Sequence, residues 1–144
     1  MQTSASEFSA LPLGTTVGPA RVVEFLAADH QTAVYRAERI DRDESVMLYE
    51  YLPAGLAQRG PGGVQATAGK AEPFARGQAA FTTRLRAAAL VGHPALPAID
   101  DIWPEKGTVY ALAAWRPGRS LLAELSTRRG ALDASTLGVW VRTL

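Results

Sequence analysis

Val, Tyr and Phe alternate with charged or small residues in three short runs: Ala20–Leu26 (ARVVEFL), Thr32–Arg39 (TAVYRAER) and Ser45–Tyr51 (SVMLYEY). Alternation at a period of two, in β-branched and aromatic residues, predicts strands. The polar turns between them, one of which is Asp41-Arg-Asp-Glu44, predict an antiparallel meander. Pro53 ends the third strand, and the glycine- and proline-rich stretch Leu52–Pro73 reads as a long mobile insert without an element of its own. From Phe74 to Val91 the period changes. Phe74, Phe81, Leu85 and Ala88 recur at helical spacing, which predicts one helix, weakened early by Gly77 and closed by Gly92. Leu96–Trp103 and Thr108–Trp115 are two further strands joined by the turn Pro104-Glu-Lys-Gly107. Ser120–Thr127 and the stretch from Asp133 onward predict more helix, with Ser120 as a cap. Residues 1–13, small and polar apart from Phe8 and Leu11-Pro-Leu13, read as a flexible arm that docks by its last few residues.

Composition narrows the chemistry. The 144 residues, 47% hydrophobic and 20% charged, suit one globular domain with a real core. Fifteen basic and fourteen acidic residues are interspersed, so no basic field directs the chain to nucleic acid or to an anionic membrane. The absence of cysteine removes disulfides, thiol catalysis and thiolate metal sites, and it fits a reducing compartment. His30 and His93 are too far apart for ligand spacing, so no metal site is expected; they read as a turn residue and a helix-end residue. The N-terminus has no basic start followed by an apolar run, and no stretch of about 18 apolar residues occurs. The expectation is a cytoplasmic segment without direct membrane contact, whatever anchor a longer chain carries.

Four motifs in order then become informative: EYLP at Glu50–Pro53, FARGQAAF at Phe74–Phe81, GHPALP at Gly92–Pro97, and VYALAAWRPGRSLLAEL at Val109–Leu125. Together with the strand order they resemble a bacterial Ser/Thr protein kinase subfamily over residues 11–144. The resemblance implies an α+β fold, the kinase small lobe: a five-stranded antiparallel sheet with one packed helix. Residues 14–118 would form that lobe, with 52–73 as its mobile insert. Residues 119–144 would form the helices that follow the hinge and open the large lobe. The chain as given would therefore lack the catalytic loop and the metal-binding motif, and no catalytic residue is expected.

The nucleotide site that the resemblance implies is degenerate. A kinase carries a lysine at the end of its third strand to hold the α- and β-phosphates, positioned by a glutamate from the helix. Tyr49 stands in the lysine's place and Arg84 in the glutamate's. Tyrosine has no cation to offer near neutral pH, and the chain's two lysines, Lys70 and Lys106, lie in the insert and in a turn. Tyr49 reads as an aromatic filling the space of a lysine stem, with Arg84 free to stack on it or hydrogen-bond to it. The phosphate-covering loop needs glycines so that its backbone can approach the phosphates; here they are replaced by Ala27, Asp29 and Thr32. Val34 is kept, Ala113 is the small residue at the gatekeeper position, and Met47 replaces the usual alanine that floors the adenine pocket. No ATP or magnesium binding is expected.

The remaining aromatics and arginines point to a surface. Trp103 and Trp115 are expected to cap the sheet core. Leu137, Trp140 and Leu144, rimmed by Arg128, Arg129 and Arg142, form a candidate interface for a protein partner or for self-association. The functional reading is a catalytically inactive, kinase-like regulatory domain that works by protein contact. The alternatives are a nucleotide-binding switch without turnover, and the small-lobe fragment of an atypical active Ser/Thr kinase.

Overall fold

A computed structural model of the chain describes residues 9–94 and 96–118, with Thr127, Ala134 and Ser135. The strands are β1 (Thr16–Val17), β2 (Ala20–Ala28), β3 (Thr32–Arg39), β4 (Glu44–Tyr51), β5 (Ala57–Gly60), β6 (Gly63–Ala66), β7 (Ile99–Glu105) and β8 (Thr108–Ala114). The one helix among the described residues long enough to form an element, α1, spans Ala71–Ala89. An antiparallel sheet runs β1-β2-β3-β4-β8-β7. It has six strands where five were predicted, because the two-residue β1 adds to the edge through Thr16↔Arg21 and Val17↔Ala20. Its shortness hid it: two residues carry no periodicity.

The insert, expected to hold no element, holds two strands. Within Leu52–Pro73, β5 and β6 pair as a separate hairpin, Ala57↔Ala66 to Gly60↔Gly63. Ala57 and Val64 are buried, and the Val64 amide donates to the Lys106 carbonyl at 2.7 Å. An element therefore forms where glycine content alone suggested none, because its anchors come from the β7–β8 turn.

Period two divides the sheet into two faces. Ala20, Val22, Ala33, Tyr35, Ala37, Val46, Leu48, Tyr110 and Leu112 form one buried cluster, completed by Leu11 of the arm. The opposite face packs Tyr51 and Val109 against Phe74 and Phe81 of α1, with the hairpin's Ala57 and Val64. The predicted inward positions Phe74 and Phe81 are buried and Leu85 is partly buried, whereas Ala88 is exposed. The helix starts three residues earlier than its sequence pattern, since Glu72 suits the first turn and Pro73 is tolerated there. It is capped at Leu90, before Gly92.

The sheet also curls until its edges meet. The Gly18 amide donates to Glu105 Oε2 at 2.7 Å, and Lys106 Nζ donates to the Thr16 carbonyl at 3.1 Å. Trp103 packs on the first cluster, stacks on Tyr110 at 6.0 Å, and lies so close to Gly18 that a Cβ there would stand 2.7 Å from the indole. Trp115, expected to cap the core, is half-buried, and the Arg36 guanidinium lies 5.6 Å from its ring centre.

Candidate functional site

A cleft of about 340 Å³ opens between the β2–β3 turn, the end of β4 and α1. Asp29, Thr32, Val34, Tyr49 and Arg84 line it, joined by Gln31, Phe81 and Leu85. Five of the eight residues expected at the nucleotide site thus share one cavity. Ala27 instead sits exposed on β2, paired with Val34, and Met47 pairs with Ala113 further along the sheet.

The β2–β3 turn is closed on itself. Asp29 Oδ1 accepts from the amides of Gln31 and Thr32, both at 2.7 Å, and the Asp29 amide donates to the Thr32 carbonyl at 2.9 Å. The ladder then continues past β3: the Leu52 amide donates to the Gln31 carbonyl and the Ala54 amide to the His30 carbonyl, each at 2.9 Å. An Asx-type turn of this kind consumes the local N–H groups that an anion would need. It also places the Asp29 carboxylate at the cleft.

Tyr49 and Arg84 do not pair in the way the sequence left open. The Tyr49 hydroxyl points along the sheet to Met47 Sδ at 3.9 Å, and burial raises its pKa, so it stays a neutral phenol. Arg84 is exposed, and its Nη2 donates to Gln31 Oε1 at 3.1 Å. Gln31 was missed by sequence reasoning; it stands 53 positions from Arg84, and no local signal connects them. The cleft offers one exposed guanidinium, one carboxylate and an apolar wall. Among the described residues, no group of three His, Cys, Asp or Glu side chains could hold a metal ion.

A second polar cluster lies on the other face of β4. Glu50 is fully buried, and its carboxylate accepts from Tyr35 Oη at 2.9 Å, Tyr110 Oη at 2.6 Å and Arg59 Nη2 at 2.6 Å. The sequence carried a signal for it: Val46, Leu48 and Glu50 share one phase of the period-two pattern, so Glu50 must point into the core. Three strands and the hairpin meet on this carboxylate. Burial opposes the Arg59 charge, yet the hydrogen bond and charge of Glu50 outweigh it and raise the Arg59 pKa. Burial, followed by the charge of Glu50, also pushes the Tyr35 and Tyr110 phenols far above their usual value.

Because these folded-state phenol pKa values are raised, their contribution to stability is complete below about pH 10 and declines as pH rises past it, where only the unfolded phenols ionise freely. The melting temperature is therefore expected to fall as pH rises above about pH 10, and to fall less steeply for Tyr110→Phe. Parallel melting profiles for the two proteins would remove Tyr110 from the account.

The candidate interface residues Arg128, Arg129, Leu137, Trp140, Arg142 and Leu144 lie outside the described residues. No helix among the described residues is long and apolar enough to cross a membrane. No protein-family model matches the chain, and no curated protein matches it either. Among solved structures, the chain is similar to "PpkA-294 apo form", from a bacterial Ser/Thr kinase, with a TM-score of 0.78 and 24% identity. The match covers 83% of this chain and 43% of that one, so the chain spans less than half of the structure it resembles. At that identity the likeness concerns the fold, and it supports an α+β, kinase-like small lobe.

Proposed function

We propose that the chain is a catalytically inactive, kinase-like regulatory domain that acts by contact with protein. The observation that carries this reading is the Asp29 turn, whose carboxylate holds the Gln31 and Thr32 amides at 2.7 Å. A nucleotide would have to displace an anion covalently fixed in place. It would meet a neutral phenol at Tyr49 in return, with no lysine in the cleft. Electrostatic stabilisation of phosphates needs preorganised donors and cations, and here the donors are occupied.

The test is thermal unfolding with and without millimolar ATP and magnesium. A site with a Kd one-hundredth of the ligand concentration would add about 2.7 kcal/mol, a shift that is easily measured. No shift is expected; a clear one would replace this reading with a nucleotide-binding switch. The protein-contact half is tested by solution mass and partner capture for the wild type and for the Leu137→Glu, Trp140→Glu double variant. Loss of association in the variant supports the reading. A wild type that is monomeric at high concentration, with undiminished capture by the variant, would overturn it.

A second reading is favoured by one finding. Since the match spans 43% of the neighbouring structure, the chain is also compatible with the small lobe of a longer, atypical Ser/Thr kinase. That reading requires a cation at the phosphates, and Arg84, hydrogen-bonded to Gln31, is the one guanidinium among the described residues that lines the cleft. A nucleotide-dependent shift that disappears in Arg84→Gln would support it.

A further inference from the structure

The arm before β1 is tied to groups distant in the chain. Leu11 is buried in the first core cluster, and its amide donates to Tyr35 Oη at 3.0 Å. Two residues earlier, the Ser9 carbonyl accepts from Arg59 Nε at 2.8 Å. Arg59 belongs to β5, and its Nη2 is the group that meets Glu50. One guanidinium therefore holds the arm with one nitrogen and the core carboxylate with another. Lys106 is shared in the same way: its Nζ reaches Thr16 just beyond the arm, and its carbonyl accepts from Val64 of the hairpin.

The hairpin needs these anchors. Two paired strands of four residues each are marginal by themselves, and β5–β6 lies outside the main sheet. A crevice of about 280 Å³, lined by Leu11, Pro12, Gly62 and Lys106 among others, separates arm from hairpin tip. Across it Arg59 joins them, through Ser9 on one side and its place in β5 on the other. Beyond β6 the chain enters α1 through consecutive backbone bonds, Thr67 amide to Leu56 carbonyl, Lys70 amide to Thr67 carbonyl and Phe74 amide to Lys70 carbonyl.

We propose that residues 9–13 are a strap whose seating holds the β5–β6 hairpin and the start of α1 in place, with Arg59 as the shared anchor. Lifting the strap strands Arg59 Nε and loosens the hairpin. The helix entry then loses its backbone tie to the hairpin, Thr67 amide to Leu56 carbonyl, while Phe74 and Phe81 keep their contact with Tyr51. The inference rests on these contacts and not on the kinase-like reading of the cleft.

Hydrogen exchange of the full chain, resolved to single amides, tests it. In Leu11→Ala, exchange at Val64, Thr67 and Phe74 is expected to rise about tenfold while the β3–β4 ladder stays within about twofold of wild type. A rise confined to residues 9–15 would overturn the proposal, and so would a uniform rise that includes β3 and β4. Coupling between two sites is reciprocal, which supplies a second variant should Leu11→Ala fail to fold. In Val64→Ala, the Leu11 amide, bonded to Tyr35, is expected to exchange faster together with the hairpin. A loosened hairpin with unchanged Leu11 exchange would overturn the strap.

Discussion

Glu50→Ala is expected to cost about 3–5 kcal/mol of folding stability, the range for removing one partner of a buried ion pair. The carboxylate is 0% exposed, and its loss leaves the Arg59 guanidinium and two phenols without their common acceptor. Chemical denaturation should show the midpoint falling with little change in slope. The pair is also testable as a unit, because an apolar replacement of both partners is often close to neutral. The Glu50→Leu, Arg59→Met protein should therefore lose clearly less than the sum of its two single variants. Additivity would mean that the charges do not sense each other at 2.6 Å.

The second large effect is at Phe81, which anchors α1. Its ring lies 5.2 Å from that of Tyr51, which also meets Phe74 at 5.5 Å, and it lines the cleft. Phe81→Ala removes this contact and should cost about 3–5 kcal/mol. Its neighbour one turn earlier gives a test of sign. Alanine is a better helix former than glycine by about 0.8–1.0 kcal/mol, so helix propensity alone has Gly77→Ala stabilising the protein. A Cβ at Gly77 would run into the buried Tyr51 hydroxyl. Overpacking of that kind costs about 1–3 kcal/mol, and the net expectation is destabilisation. A raised melting temperature for Gly77→Ala would show that the tyrosine yields.

Gly77 separates what was legible in the sequence from what was not. Its presence in a helical pattern looked like a local weakness; the reason for it, the Tyr51 hydroxyl, comes from a strand 26 positions earlier. The strands β2, β3, β4, β7 and β8 and the helix were readable because periodicity and turn chemistry act within a few residues. That neither lysine lies on a strand was readable from their places, Lys70 in the insert and Lys106 in a turn. The inward phase of Glu50 was readable as well, through Val46 and Leu48.

Three features depended on pairings that no local window contains. The hairpin inside 52–73 forms because Val64 finds the Lys106 carbonyl. Arg84 turns to Gln31 rather than to Tyr49 because the Asp29 turn holds Gln31 at the cleft's edge, while the Tyr49 hydroxyl points to Met47. The arm docks by Leu11, as its last residues suggested, yet its partners Tyr35 and Arg59 are set by the curl of the sheet and the position of the hairpin. Periodicity determines which side of a strand a residue faces. Only the closed tertiary structure determines which donor meets which acceptor across it, since those partners are brought within about 3 Å by chain segments that share no local signal.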